Sequence, residues 1–221
     1  MGLVQHFPDR SEASESIAVY GEYLQPLLDA LAPLVKPGMT VIEVGAGAGF
    51  HALWLSRALG SDGHLLLYEP DGRQRQVLKQ NLSANDVTNA TVMRRSLNGE
   101  AAASLADVET IDDLGLARLD WLKINGADAA TVLQGATHTL WRARPALCVT
   151  LDDATAMKLL IAHLKGFGYA CWSCKAPLFN PANFNLRDED VFAGRMSLSL
   201  LALPEERGAA IGENVHLTAH E

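Results

Sequence analysis

Apolar residues recur at helical spacing through Tyr20, Tyr23, Leu24, Leu27, Leu28 and Leu31, which places them on one face of a helix. Pro26 interrupts the stripe. Either the helix kinks there, or a second helix begins with Pro26 in its first turn, where a missing N–H breaks no bond. Lys36-Pro37-Gly38 ends the helical pattern, and a β-branched run over 40–44 follows. That strand leads through Gly45-Ala46-Gly47-Ala48-Gly49 into a helical stretch over 50–59.

The alternation continues with a strand over 65–68, a helix over 71–82 and a short strand over 90–93. A strand over 119–124, a helix over 128–141 and a strand over 145–151 come next. Met157, Leu160, Ile161 and Leu164 form another helical stripe, and strands six and seven fall at 169–174 and 197–203. Continuous apolar strands separated by helices predict an α/β fold, with a parallel sheet covered on both faces. The expected division is helices capping the sheet over 1–38, one α/β domain over 39–204, and a polar tail over 205–221 that frays. The segment 176–195, with Asn180, Pro181, Asn183, Asn185 and Gly194, is long for a plain connection and reads as a functional flap.

The chain has 221 residues, 48% of them apolar and 20% charged, which is globular composition. Eighteen Lys plus Arg against 26 Asp plus Glu leave a net charge of −8, which repels a phosphate backbone, so nucleic acid is not expected as the main partner. The polar, acidic start does not resemble a signal peptide, and no apolar run reaches membrane-spanning length. A cytoplasmic protein without a membrane partner is expected. Met1-Gly2 is not a myristoylation signal, because position 6 is His6. Cys148, Cys171 and Cys174 are too few for a disulfide framework, and Cys171 and Cys174 lie three apart in a strand, on opposite faces. All three read as core thiols.

The glycine turn carries the chemistry. Glycines between a strand and a helix let a ligand approach the main chain and the free N–H groups of the helix start. Gly45, Gly47 and Gly49 are spaced G-x-G-x-G, whereas the dinucleotide fingerprint needs its third glycine at position 50, which is Phe50. A nucleoside ligand without a pyrophosphate fits this spacing, and S-adenosylmethionine is the obvious one. Glu69, at the end of the second strand, is placed to accept both ribose hydroxyls. Glu43, at the carboxyl end of the first strand, is either a satisfied strand-end acid or an orienter of the cofactor's cationic amino group.

These residues resemble the FkbM-type family of class I methyltransferases. Val35-Lys36-Pro37-Gly38-Met39-Thr40-Val41-Ile42-Glu43-Val44-Gly45-Ala46-Gly47-Ala48-Gly49-Phe50-His51 is similar to that family's first motif. Tyr68-Glu69-Pro70, Asn81-Leu82, Thr110-Ile111-Asp112-Asp113-Leu114 and the stretch Pro177 to Phe184 resemble later motifs, in the same order. The resemblance implies a seven-stranded class I methyltransferase sheet, mainly parallel, with an antiparallel last strand. It also implies S-adenosylmethionine as cofactor and methyl transfer to an oxygen, less often a nitrogen, of a small molecule, glycan or natural product. The alternative is a domain that keeps the fold but serves as a binding or assembly module.

The departures fall on the acceptor side. Asn125 stands where the family has aspartate, and it orients by hydrogen bonds but takes no proton. Thr150 stands where a glutamate is common, and Asp152 lies two positions on. Lys123 matches a family lysine, either facing the crevice or snorkelling past the sheet. Asp128 is either the N-cap of the next helix or an acceptor-side acid, and His51 lines the cofactor pocket or is a partly buried helix residue. The catalytic candidates are therefore Lys123, Asn125 and Asp128. The cofactor-binding candidates are Glu43, Gly45, Gly47, Gly49, His51, Glu69 and Ser96.

Overall fold

The computed structural model describes residues 4–6, 11–97, 108–126, 128–151, 154–207 and 216–220. Two short helices precede the first strand: α1 (Glu12–Tyr20) and α2 (Gln25–Leu31). Ser11 caps α1 by accepting from the Ser14 amide, and Gly21 ends it in the left-handed conformation. Pro26 lies in the first turn of α2, so the second of the two expectations for this stripe holds.

The chain then alternates through β1 (Thr40–Val44), α3 (Phe50–Leu59), β2 (His64–Tyr68), α4 (Gly72–Ala84) and β3 (Ala90–Val92). The strands β4 (Ser96–Leu97) and β5 (Val108–Glu109) pair with each other, apart from the main sheet. After them come β6 (Trp121–Asn125), α5 (Ala129–Gln134), α6 (Thr137–Arg142), β7 (Ala146–Leu151) and α7 (Ala154–Lys165). The long strands β8 (Tyr169–Pro177) and β9 (Met196–Pro204) and the short β10 (His216–His220) complete the described elements. The single helix expected over 128–141 is two, because α5 stops at Gly135 and Asp112 caps α6. The Asp112 carboxylate accepts from the amides of His138 (2.9 Å) and Thr139 (2.8 Å).

The main sheet has the order β10-β8-β9-β7-β6-β1-β2-β3. Pairing is parallel from β3 to β7, while β9 runs antiparallel to both neighbours and β10 is antiparallel to β8. The sheet thus has eight strands rather than seven. The extra one comes from the segment read as a fraying tail, whose residues 208–215 lie outside the described ones. The expected antiparallel strand is present as β9, inserted between β7 and β8. Helices α1 to α4 cover one face with Tyr20, Leu27, Leu55 and Leu78, and α5 to α7 cover the other with Val132, Leu140 and Leu160. Cys148 and Cys174 belong to the first layer and Cys171 to the second, as strand alternation requires. All three are free and buried, and burial pushes the Cys171 thiol up to about 11 and that of Cys174 to about 12. Among the described residues no helix is long and apolar enough to cross a membrane.

The segment between β8 and β9 is tied down at several points. The Tyr20 hydroxyl donates to the Glu189 carbonyl (3.0 Å) and accepts from the Val191 amide (2.8 Å). Buried Glu22 accepts from the Asn180 side chain (2.8 Å) and the Phe184 amide (3.0 Å). Chain order reverses between β1 and β6, because β1 continues to β2 on one side and meets β6 on the other. A crevice opens outside the carboxyl ends of strands at such a switch point.

Candidate cofactor and acceptor site

The turn after β1 occupies that crevice. Gly45 has φ +71°, and a Cβ there would stand 1.9 Å from the Asn125 carbonyl oxygen, so the close pass of β6 admits no side chain. The amides of Gly45 and Ala46 both donate to the Tyr68 carbonyl, at 2.9 and 3.1 Å, which anchors the turn to the end of β2. Gly47 has φ +54°, and a Cβ added to it would meet nothing within 4 Å, so it would project into open space above the turn. Gly49 caps α3 from the left-handed region, with Leu78 of α4 packed where its Cβ would lie.

Glu69 is held from two directions, its Oε2 accepting from the Gly47 amide (2.7 Å) and its Oε1 from the Asp71 amide (2.8 Å). Each oxygen retains a second lone pair, so the carboxylate is fixed in place and still able to accept. Asp71 itself caps α4, accepting from the amides of Arg73 and Gln74. Asn81, in α4, is almost fully buried and donates to the Ala48 carbonyl (2.8 Å), so the asparagine of the Asn81-Leu82 motif clamps the glycine turn from behind.

Glu43, Lys123 and Asn125 form one network on the face covered by α1 to α4. Glu43 and Lys123 are register partners on β1 and β6, 0% and 2% exposed, with Nζ 3.8 Å from Oε1. The Asn125 amide donates to Glu43 Oε1 (2.9 Å), and its Oδ1 accepts from Lys123 Nζ and, at 3.4 Å, from the Thr150 hydroxyl. Asn125 therefore bridges a buried acid and a buried base, a task for an amide, which offers both a donor and an acceptor. An aspartate there would set a second carboxylate against Glu43. Burial raises the Glu43 carboxyl above its ordinary range, while Lys123 and the Asn125 bond oppose the shift.

Two cavities meet at this network. The larger, about 500 Å³, is lined by the turn, Tyr23, His51, Glu69, Asn125, Thr150, Met196 and Ser197, together with the first turn of α1. The smaller, about 260 Å³, has Tyr68, Pro70, Ser96 and Leu97 in its lining. Both include Gly45, Glu69, Asn125 and Gly126. Of the sequence candidates, Gly45, Gly47, His51, Glu69 and Asn125 line the larger cavity and Ser96 the smaller, while Glu43 and Lys123 lie buried beneath Asn125. Gly49 supports the turn from α3.

Asp128 is not brought to this site. It is exposed, and its carboxylate caps α5, accepting from the Thr131 amide (3.2 Å) and hydroxyl (2.6 Å). Of its two sequence readings the structure shows the helix cap, whose bonds hold the carboxyl below the usual range. Within the segment read as a functional flap, the stretch 180–185 packs against Glu22, and Ala182 and Phe184 line a further cavity with Leu28, Leu53 and Trp54. Asp152 lies outside the described residues. Sequence reasoning noted Thr150 only as an acceptor-side departure from the family, and missed Tyr23 and Met196 with Ser197. A long β9 starting beside β7 is the feature that places the last pair.

No family model matches the chain. A protein-L-isoaspartate O-methyltransferase from Methanothermobacter thermautotrophicus is 30% identical over 73 residues, which cover 33% of this chain and 32% of that relative. The chain thus matches about a third of that relative's length. Among solved structures, a precorrin-6y C5,15-methyltransferase from Geobacter metallireducens superposes with a TM-score of 0.59 at 14% identity, covering 90% of this chain and 92% of the other. An S-adenosylmethionine-dependent methyltransferase from Aquifex aeolicus gives 0.55 at 14% identity, with 86% and 93% covered. An rRNA methylase from Streptococcus thermophilus gives 0.52 at 13% identity, with 80% and 93% covered. The fold is that of class I S-adenosylmethionine-dependent methyltransferases. These likenesses span carbon, oxygen and RNA acceptors, so they favour no acceptor, and the exclusion of nucleic acid drawn from net charge is not carried by them.

Proposed function

We propose that this protein binds S-adenosylmethionine in the crevice between β1 and β6 and transfers its methyl group to an acceptor admitted through the larger cavity. The observation that carries the reading is the fixed Glu69 carboxylate, joined to the Gly47 amide at 2.7 Å where two cavities meet. The residues fit the cofactor, because the open space over Gly47 admits a ligand against the main chain and Glu69 retains lone pairs for two ribose hydroxyls. When bound, S-adenosylmethionine supplies a methyl group made electrophilic by its sulfonium. Glu69 would hold the ribose, the turn would carry the main-chain contacts, and Ser96 with Pro70 would flank the base.

Asn125, Thr150 and Ser197 give the acceptor wall neutral hydrogen-bonding groups. Such a wall orients an acceptor, and orientation supplies roughly 7–11 kcal/mol of a barrier, against about 10²–10⁴ in rate from general-base assistance. Transfer to an oxygen, or less often a nitrogen, of a small molecule, glycan or natural product is the acceptor class favoured by the motif order of the FkbM-type family. The free buried cysteines agree with a cytoplasmic setting. The test is methyl release from labelled S-adenosylmethionine with alcohols, phenols, amines, carboxylates, glycans and rRNA fragments as acceptors. Acceptor-dependent turnover lost in Glu69→Ala supports the reading, and tight cofactor binding without transfer to any acceptor would point to a binding module.

A further inference from the structure

Two polar atoms buried beside the larger cavity have no hydrogen-bond partner among the described residues: Nε2 of His51 and Oε2 of Glu43. His51 is in the first turn of α3, only 6% exposed, and lines the cavity. Its ring is stacked on Tyr23, with centroids 5.4 Å apart and planes 11° from parallel. Nδ1 lies 3.8 Å from Glu43 Oε1, and the imidazole also hydrogen-bonds the Tyr23 main chain. A carbonyl only accepts, and Nε2 has no partner, so the donor is Nδ1–H and the neutral ring leaves its lone pair on Nε2.

The groups around the ring keep it in that form. Glu43 faces it from β1, Lys123 lies behind Glu43 on β6, Tyr23 stacks on it from the α1–α2 connection, and Glu12 and Glu69 line the same cavity. Burial first, and the Lys123 charge second, hold the imidazole well below its ordinary range. A buried lone pair without a donor is costly, and a ligand that supplies the donor recovers that cost on binding. The fitting donor is a cation with several hydrogens, since the neighbouring Glu43 supplies negative charge. Glu69 fixes the ribose end, so the amino-acid end of the cofactor reaches toward Glu43 and His51.

We propose that His51 accepts a hydrogen from the α-ammonium group of the cofactor at Nε2, and so selects ligands that carry the amino-acid tail over tail-less thioether nucleosides. This rests on the S-adenosylmethionine reading above.

Calorimetry on the full chain tests it with two ligands, S-adenosylhomocysteine and 5′-methylthioadenosine, the second being the same thioether nucleoside without the amino acid. His51→Phe keeps the stack on Tyr23 but removes the acceptor. It should lower S-adenosylhomocysteine affinity about tenfold or more, as loss of a hydrogen bond to a charged group does, while 5′-methylthioadenosine affinity stays within about twofold. His51→Gln, which retains an acceptor oxygen, should recover part of the loss and serves if the Phe variant does not fold. Wild-type affinity for S-adenosylhomocysteine should fall as pH is lowered through the His51 transition, because the protonated ring repels the ammonium, while 5′-methylthioadenosine stays flat.

Equal loss of both ligands in His51→Phe would overturn the inference and make His51 a packing residue. A rise in S-adenosylhomocysteine affinity at acid pH would overturn it by pairing His51 with the carboxylate instead. Failure of the wild type to bind either ligand would overturn the cofactor reading itself, and this inference with it.

Discussion

Lys123→Met isolates the buried charge pair beneath the site. Lys123 Nζ is 3.8 Å from Glu43 Oε1, and both side chains are at most 3% exposed, so the substitution leaves a carboxylate buried among neutral neighbours, the Asn125 amide at 2.9 Å and His51 Nδ1 at 3.8 Å. Breaking a buried pair on one side costs about 3–5 kcal/mol, a large share of the roughly 5–15 kcal/mol that stabilises an ordinary domain. The cost should depend on pH in a definite direction. Burial already raises the folded-state Glu43 carboxyl above its unfolded value, and removing Lys123 raises it further. A group raised in this way favours the fold where it is protonated, and loses that contribution as pH rises through its folded value.

Urea denaturation of wild type and variant at pH 8 and pH 5.5 reads the effect as a difference, so the other carboxylates cancel. The penalty should be largest at pH 8 and shrink at pH 5.5. The double variant Glu43→Gln/Lys123→Met should recover most of it, because no unpaired charge is left buried. A penalty equal at both pH values, and untouched by Glu43→Gln, would mean that Lys123 does not stabilise a buried Glu43 carboxylate.

The glycines should separate by position. Gly45→Ala should fail to give folded protein, since its Cβ would stand 1.9 Å from the Asn125 carbonyl, whereas Gly47→Ala should fold, lose about 1–2 kcal/mol for its left-handed backbone, and bind S-adenosylhomocysteine more weakly in calorimetry. Glu69→Ala should weaken S-adenosylhomocysteine while Asp71→Ala costs about 1 kcal/mol of stability through the lost α4 cap and leaves affinity nearly unchanged; equal affinity losses would remove Glu69 from the site.

The parts of the site that were legible in the sequence are those dictated by main-chain geometry. A turn that must bend left-handed at Gly45, Gly47 and Gly49 between a β-branched run and a helix can be read from residue types alone, and the acid ending the next strand follows by spacing. Asn125 was legible as a departure but not as a bridge, because its partner Glu43 lies 82 residues away, joined only by the β1–β6 register. Asp128 was legible as an N-cap from its place just before a helical stretch, a local signal that the Thr131 amide three residues on satisfies. The strand β10 escaped because five residues with little apolar content become a strand only when the edge of β8 is there to pair with them. The anchoring of 178–195 depended on Tyr20 and Glu22, whose partners sit more than 150 positions downstream.

The turn and Glu69 should hold S-adenosylmethionine rather than a dinucleotide. Titration calorimetry of the wild-type chain with S-adenosylhomocysteine and with NAD tests it most directly, paired with thermal scans of the same mixtures. One-site binding of S-adenosylhomocysteine is expected, with stability raised by about 2.7 kcal/mol at a ligand concentration one hundred times Kd, and no heat or shift with NAD. Binding and stabilisation by NAD with none by S-adenosylhomocysteine would contradict it.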